Sequence, residues 1–225
     1  MYSLDDTEKC EIIDSINKVR RNVNPSAANM REVHWSDCYA DIAKDYLARC
    51  KDIDAYNIDR VTKAAAAGCE ASDTVGETIH NADETTVDAI DTWASEKDLY
   101  DFEQNVCSDT CFNYAQLVNA ETYAVGCAVF NQENCGRTGH TTLCNYGTSV
   151  VFTDTPYSAG EACSGCAGEF PSCSEGLCTV AAATTPTVTE TNSYTSTPKP
   201  SDTRANMAMG ILLIISLVAV LISSL

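Results

Sequence analysis

Positive charge is what this chain has least of: 14 lysines and arginines stand against 32 aspartates and glutamates, for a formal net charge of -18 and a pI near 4.3. Binding to polyanions needs clustered Lys and Arg that displace counterions from phosphates, so no nucleic-acid partner is expected. Histidine is scarce too, with only His34, His80 and His140 in 225 residues, which leaves little material for an imidazole-based centre. No internal repeat is visible, and the Ala64–Ala67 run reads as helix or loop filler. The opening MYSLDDTEK lacks an apolar h-region and is no secretory signal itself; a signal missing from this form of the sequence is the expectation.

Cysteine, by contrast, is plentiful. Thirteen of them run from Cys10 to Cys178, more than a reducing cytosol would leave useful, which points to a disulfide-bonded ectodomain. The count is odd, so at least one thiol is free, paired between chains or modified. Cys163 and Cys166 form a CxxC, but the following Cys173 and Cys178 are five apart and no histidine follows. A small disulfide module is therefore preferred to a zinc ribbon.

A hydrophobic fraction of 44% is enough for one core of ordinary size. Residues Lys9 to Asn22 place Ile12, Ile16, Val19 and Val23 at helical spacing until Pro25 stops the pattern. Ser36 can cap a second helix with Tyr39, Ile42, Ala43, Tyr46, Leu47 and Cys50 on one face. A third helix follows Thr85 and Thr86, carrying Val87, Ile90, Trp93 and Ala94, and a short fourth fits Phe112 to Asn119. Strand signals come late, at Tyr123 to Phe130, Thr141 to Tyr146 and Val150 to Phe152. Helices first and strands second predict an α+β domain with helices covering an antiparallel sheet.

After Phe152 the composition changes. Prolines, glycines and four cysteines replace apolar residues, so residues 153–180 read as a hinge held by disulfides behind a domain of residues 1–152. Residues 181–206 are rich in Thr, Ser and Pro, as in an O-glycosylated stalk, with bare disordered linker as the alternative. Residues 207–225 end in an apolar run from Ile211 to Leu225 with no Lys or Arg behind it. A spanning helix wants about 20 apolar residues and basic flanks, so a GPI signal fits better, with Ser201 as the candidate attachment site and Asp202 or Asn206 as neighbours. A retained single-pass helix is the other reading.

Several blocks, taken in order, resemble the CAP superfamily of cysteine-rich secretory, antigen five and pathogenesis-related proteins. They are Asn17, Arg20, Pro25, Asn29-Met30 and Trp35; Val75-Gly76-Glu77; Trp93 with Glu96; Tyr114 and Gln116; Val125-Gly126-Cys127-Ala128; and Cys144-Asn145-Tyr146. Residues Tyr157 to Cys178 are similar to the hinge of animal members such as glioma pathogenesis-related and helminth venom-allergen-like proteins. The resemblance implies a three-layer α-β-α sandwich with a small disulfide-rich C-terminal hinge. It also implies a cleft where full members hold a divalent metal with two histidines and two glutamates.

Here Ile16 and Asn113 stand at the positions taken for those histidines, while Glu77 and Glu96 remain, with His80 three residues after Glu77. Two carboxylates without imidazoles make a weak, unselective site, so no metal, no cofactor and no catalytic residue is expected. Glu77 and Glu96 have a structural reading as well, as hydrogen-bonding partners that hold the sandwich closed. The family pattern has no cysteine at Cys38, which makes it the candidate unpaired thiol. Two functions follow: a non-enzymatic module at the cell surface that binds extracellular proteins, or a carrier of sterol or fatty acid. For the second, Trp93, Leu99, Tyr100 and Phe102 are the candidate lipid contacts, and core packing is the competing role for the same aromatics.

Overall fold

The first helix, α1 (Asp6–Arg21), starts a turn before the expected Lys9 because the Asp5 carboxylate accepts the backbone N–H of Glu8 at 2.9 Å while the Glu8 carboxylate accepts that of Asp5 at 2.8 Å. This reciprocal cap satisfies N–H groups that a helix start otherwise leaves unbonded. Ile12 and Ile16 are buried as their spacing predicts, but so are Asn17 and Arg20, whereas Val19 is only partly covered. Residues 3–49, 67–69, 74–81, 85–131, 139–151 and 153–181 are described in this computed structural model. The chain divides into Met1–Ala183 and Thr184–Leu225, and all described residues belong to the first unit. Ser201, the stalk and the hydrophobic tail lie outside the described residues, as do Cys50, Ala64–Ala66 and Phe152.

In chain order the other elements are β1 (His34–Trp35), α2 (Asp37–Leu47), β2 (Gly76–Asn81), α3 (Thr86–Ser95), a 3-10 turn (Glu96–Leu99), β3 (Tyr100–Asp101), β4 (Val106–Cys107), α4 (Phe112–Leu117), β5 (Ala124–Asn131), β6 (His140–Tyr146), β7 (Ser172–Ser174) and β8 (Leu177–Thr179). The main sheet has the order β1-β5-β6-β2, with β1 parallel to β5 and the remaining pairs antiparallel. Its two central strands are buried along nearly their whole length, because helices cover both faces.

Alternation along the strands sorts the side chains between the two faces. Val125, Cys127, Cys144 and Tyr146 join residues of α1, α3 and α4 in the main core, and a disulfide links Cys127 to the registered Cys144. Ala128, Phe130, Leu143 and Ile79 pack instead with Ala43, Tyr46 and Leu47 of α2. This is the three-layer α-β-α sandwich. Gly126 makes the α2 layer possible: a Cβ there would collide with the backbone of Ala40 and Ser36.

Two expectations about strands change. β2, with its sequence GETIHN, was not foreseen because its polar side chains sit on an edge strand that is only half buried. Val150, expected in a strand, lies in none; its N–H is taken by the buried Gln116 side chain at 2.8 Å, and the same amide donates to the Thr148 carbonyl at 2.8 Å. A side chain thus does the pairing that a strand neighbour would do.

The cysteine-rich segment is pinned by Cys163–Cys173 and Cys166–Cys178 and contains the β7–β8 hairpin. Glu175 and Gly176 both have positive φ, 48° and 84°, as a two-residue type I′ turn requires. It belongs to the same compact unit as the sandwich: the Cys178 N–H donates to Met30 at 2.7 Å, Cys178 accepts from Glu32 at 2.9 Å, and Leu177 is fully buried in the main core. Cys38 is not the unpaired thiol, since it bonds to Cys69 and staples α2 to the segment before β2; among the described residues the free cysteine is the exposed Cys10.

Arg20 is 1% exposed and makes five hydrogen bonds to four backbone carbonyls: Arg31 through Nε (3.0 Å) and Nη2 (2.8 Å), Leu117 (2.7 Å), Asn119 (2.9 Å) and Thr122 (2.9 Å). Arg20→Lys keeps the charge but loses the planar fork, so several buried carbonyls go unbonded and the chain should lose about 3 kcal/mol or more in urea unfolding. Gly126→Ala should cost a similar amount, about 2–3 kcal/mol, by wedging α2 from the sheet. Wild-type midpoints for both variants would contradict this account of the sandwich.

Candidate functional site

Glu96 opens the 3-10 turn that continues α3, and its carboxylate faces the first turn of α4. Oε1 accepts from Asn113 Nδ2 at 2.7 Å and Oε2 accepts from the Tyr114 backbone N–H at 3.0 Å. The helix start, closed off by the Cys107–Cys111 disulfide, offers no side-chain cap of its own. Glu96 supplies the acceptor that this helix end needs. With both oxygens bonded to α4, the Glu96 carboxylate is committed to the fold.

The other expected site residues disperse. Ile16 is fully buried in the main core and lines no open cleft, which corrects its assignment to the site. Glu77 is in register with Asn145 and Gly126, and that row lies on the α2 face of the sheet. His80 is three residues on in the same strand, and an odd interval reverses the face. It shares the opposite face with Thr78, whose hydroxyl is 3.0 Å from the Tyr146 hydroxyl, so the structure does not aim His80 at Glu77. Among the described residues no group of three or more His, Cys, Asp or Glu side chains is arranged to hold a metal ion. His34 belongs to β1, with its ring 5.5 Å from that of Tyr123.

The aromatic residues proposed for lipid are packed. Trp93 is 1% exposed with its indole N–H donating to the Ile79 carbonyl at 3.1 Å, and Tyr100 and Phe102 lie against the main core. Phe102 is 4.7 Å from Tyr157 between ring centroids, and Tyr100 is 6.1 Å from Tyr114. Burial pushes the phenols of Tyr100 and Tyr114 up to about 12, so neither exchanges protons near neutral pH. A cavity of about 400 Å³ lies elsewhere, between the first turns of α1 and α3, with Leu4, Ile12 and Val87 among its walls.

Two large apolar side chains of this stretch are exposed. Phe112, the residue before Asn113, is 56% exposed, and Val106 in β4 is 49% exposed, on either side of the Cys107–Cys111 bridge. Sequence reading missed this pair because Phe112 fits a helix pattern as well as a surface role. The spacing of Cys107 and Cys111, which forces a tight loop before α4, was the available signal.

Comparison with known proteins agrees with this architecture. The sequence model of the cysteine-rich secretory protein family (CAP) matches residues 13–146. The chain is similar to human GLIPR1-like protein 1, 37% identical over 173 residues that cover 74% of this chain and 69% of that one. It is 30% identical to mouse glioma pathogenesis-related protein 1 over 172 residues, 75% of this chain and 63% of that one. Among solved structures, BmVAL-1 superimposes with a TM-score of 0.63 at 18% identity, covering 80% of this chain and 97% of that one. NaASP2, solved with Zn2+, gives 0.60 at 18%, covering 78% and 97%. Asn113→Ala tests the local geometry: it should destabilise the chain by about 1–2 kcal/mol in urea unfolding by leaving Glu96 Oε1 short of a donor, and no loss would show that the bond is idle.

Proposed function

From the premise that this chain belongs to the cysteine-rich secretory protein (CAP) family, a generally extracellular one, we propose that it is a non-enzymatic module displayed at the cell surface that binds extracellular proteins. The observation that carries the reading is the Phe112–Val106 patch, an exposed aromatic anchor held on a disulfide-closed loop beside a carboxylate already engaged by Asn113. Rigid exposed aromatics are what protein interfaces use as anchors, since little side-chain entropy is lost when they are buried. The donor set of the family's metal cleft does not fit a metal here. Glu96 has both oxygens in hydrogen bonds, Glu77 lies in the row facing α2, and Asn113 stands where a nitrogen ligand is wanted. The two phenols described above are held protonated.

In this reading residues 1–152 are the CAP domain, 153–180 the hinge, 181–206 the stalk and 207–225 a GPI signal with attachment at Ser201. Among the described residues no helix is long and apolar enough to cross a membrane, and the tail is not among them. Lipid carriage is the second reading, favoured by the cavity between α1 and α3, which has the volume for part of an acyl chain.

Three measurements separate these readings. The paired substitution Phe112→Ala and Val106→Ala should reduce cross-linked capture of an extracellular partner at least tenfold while leaving the urea midpoint unchanged, and undiminished capture would remove the patch from the interface. Phosphatidylinositol-specific phospholipase C should release the protein from cells, whereas retention would favour a spanning helix. Fatty-acid binding that is lost in Val87→Glu but kept in Leu99→Asn would place lipid in the α1–α3 cavity, and no uptake at micromolar lipid would end the carrier reading.

A further inference from the structure

A groove of about 1430 Å³ lies between α1, β1 and the cysteine-rich hairpin segment, and neither Phe112 nor Val106 lines it. One stripe of α1 forms its side: Asp6, Cys10, Asp14, Asn17 and Arg21 recur at intervals of three or four and so share a helix face. The floor is apolar and aromatic, with Ile13, Val33, Trp35, Tyr123 and Phe170, and Val180 stands 61% exposed at one end. The rim is acidic: Asp6, Asp14, Glu32, Asp37 and Glu169 outnumber Lys9 and Arg21.

Both resident cations are already matched. Lys9 Nζ lies 3.1 Å from Asp37 Oδ1, and Arg21 Nη2 lies 3.2 Å from Glu175 Oε2. The Trp35 indole N–H, and after it Lys9, hold the Asp37 carboxyl below the usual carboxylate range, so it stays charged at neutral pH. Two aromatic rings of the groove also receive cations within this chain. The Lys9 ammonium is 5.6 Å from the centroid of Trp35, and the Arg31 guanidinium is 4.8 Å from that of Phe170. Rings of this kind attract cations through their quadrupole, and the attraction grows when the contact is shielded from water.

We propose that this groove binds a basic, apolar peptide segment of another extracellular protein, seating its hydrophobic side chains on the Trp35–Tyr123–Phe170 floor and its lysines or arginines against the Asp14, Glu32 and Glu169 rim. Charge decides the class of occupant. A phosphate-bearing ligand or a second copy of this chain, with its net charge of -18, is repelled by the rim, and a purely hydrophilic cation leaves the floor uncovered. Cys10, exposed in the same stripe, reports occupancy because any segment lying along α1 covers it.

The test uses the full chain and a synthetic blocked hexapeptide that alternates arginine and leucine, with a glutamate–leucine peptide as its counterpart. Saturating basic peptide should slow alkylation of Cys10 by N-ethylmaleimide at least fivefold, read by mass spectrometry on the Cys10 fragment, and the acidic peptide should not. Asp14→Asn combined with Glu169→Gln, both at exposed positions, should weaken the basic peptide about fivefold, the scale of two solvent-exposed charge pairs. Phe112→Ala should leave it unchanged, which keeps this site distinct from the patch above. Equal protection by the two peptides, an unaltered Cys10 rate, full affinity in the double variant or loss in Phe112→Ala would each overturn the assignment.

Discussion

The guanidinium of Arg20 is the point at which the layers of this molecule are tied together. It projects from α1 and binds carbonyls of the strand-entry loop at Arg31, the end of α4 at Leu117, and the turn before β5 at Asn119 and Thr122. No other side chain type has five donors in a rigid plane, so the position tolerates no simple replacement. Burial lowers its pKa to about 9, and it is still a cation at neutral pH, held by carbonyl dipoles and, at Leu117, by the negative end of a helix. Two buried amides extend the same principle. Asn17 exchanges two 2.9 Å bonds with the backbone of Val33, and Gln116 fixes the segment from Thr148 to Val150. These three side chains, with the bridge from Cys127 to Cys144, hold the loops in place of longer strands.

A scaffold held in this way does not depend on its cleft. Asn113 and Glu96 form a closed hydrogen-bonded pair at the start of α4, where the Glu96 carboxylate serves helix capping. The outer surface presents the exposed Phe112 and Val106 and, apart from them, the acidic, aromatic groove, and both sit on elements braced by disulfides or by the α1 anchor.

The layered fold was legible because α2, α3, β5 and β6 carry strong periodicity and caps, as at Ser36 and Thr85, and because the family blocks run in order. One physical cause lies behind the errors in α1 and β2: hydropathy does not show which polar groups are buried. Period alone ranked Val19 above Arg20, yet the arginine is the buried residue because carbonyls await it. β2 went unseen since GETIHN is an edge strand, and with it went the fact that Glu77 and His80 point to opposite faces. Cys38 pairs with Cys69 although the family pattern has no cysteine there, and among the described residues the free thiol is the exposed Cys10. Trp93 and Phe102 were readable as ligand contacts or as core, the commoner role for such aromatics, and packing places them in or against the core.

The central claim is that the inherited cleft has given up metal for structure. Competition of the full chain against a zinc chelator tests it most directly, in wild type and in Glu96→Gln. The account predicts no stoichiometric site tighter than about 100 μM and no rise in melting temperature with zinc, since a site tight enough to matter would stabilise the folded state by mass action. A single submicromolar site that raises the melting temperature and disappears in Glu96→Gln would contradict it.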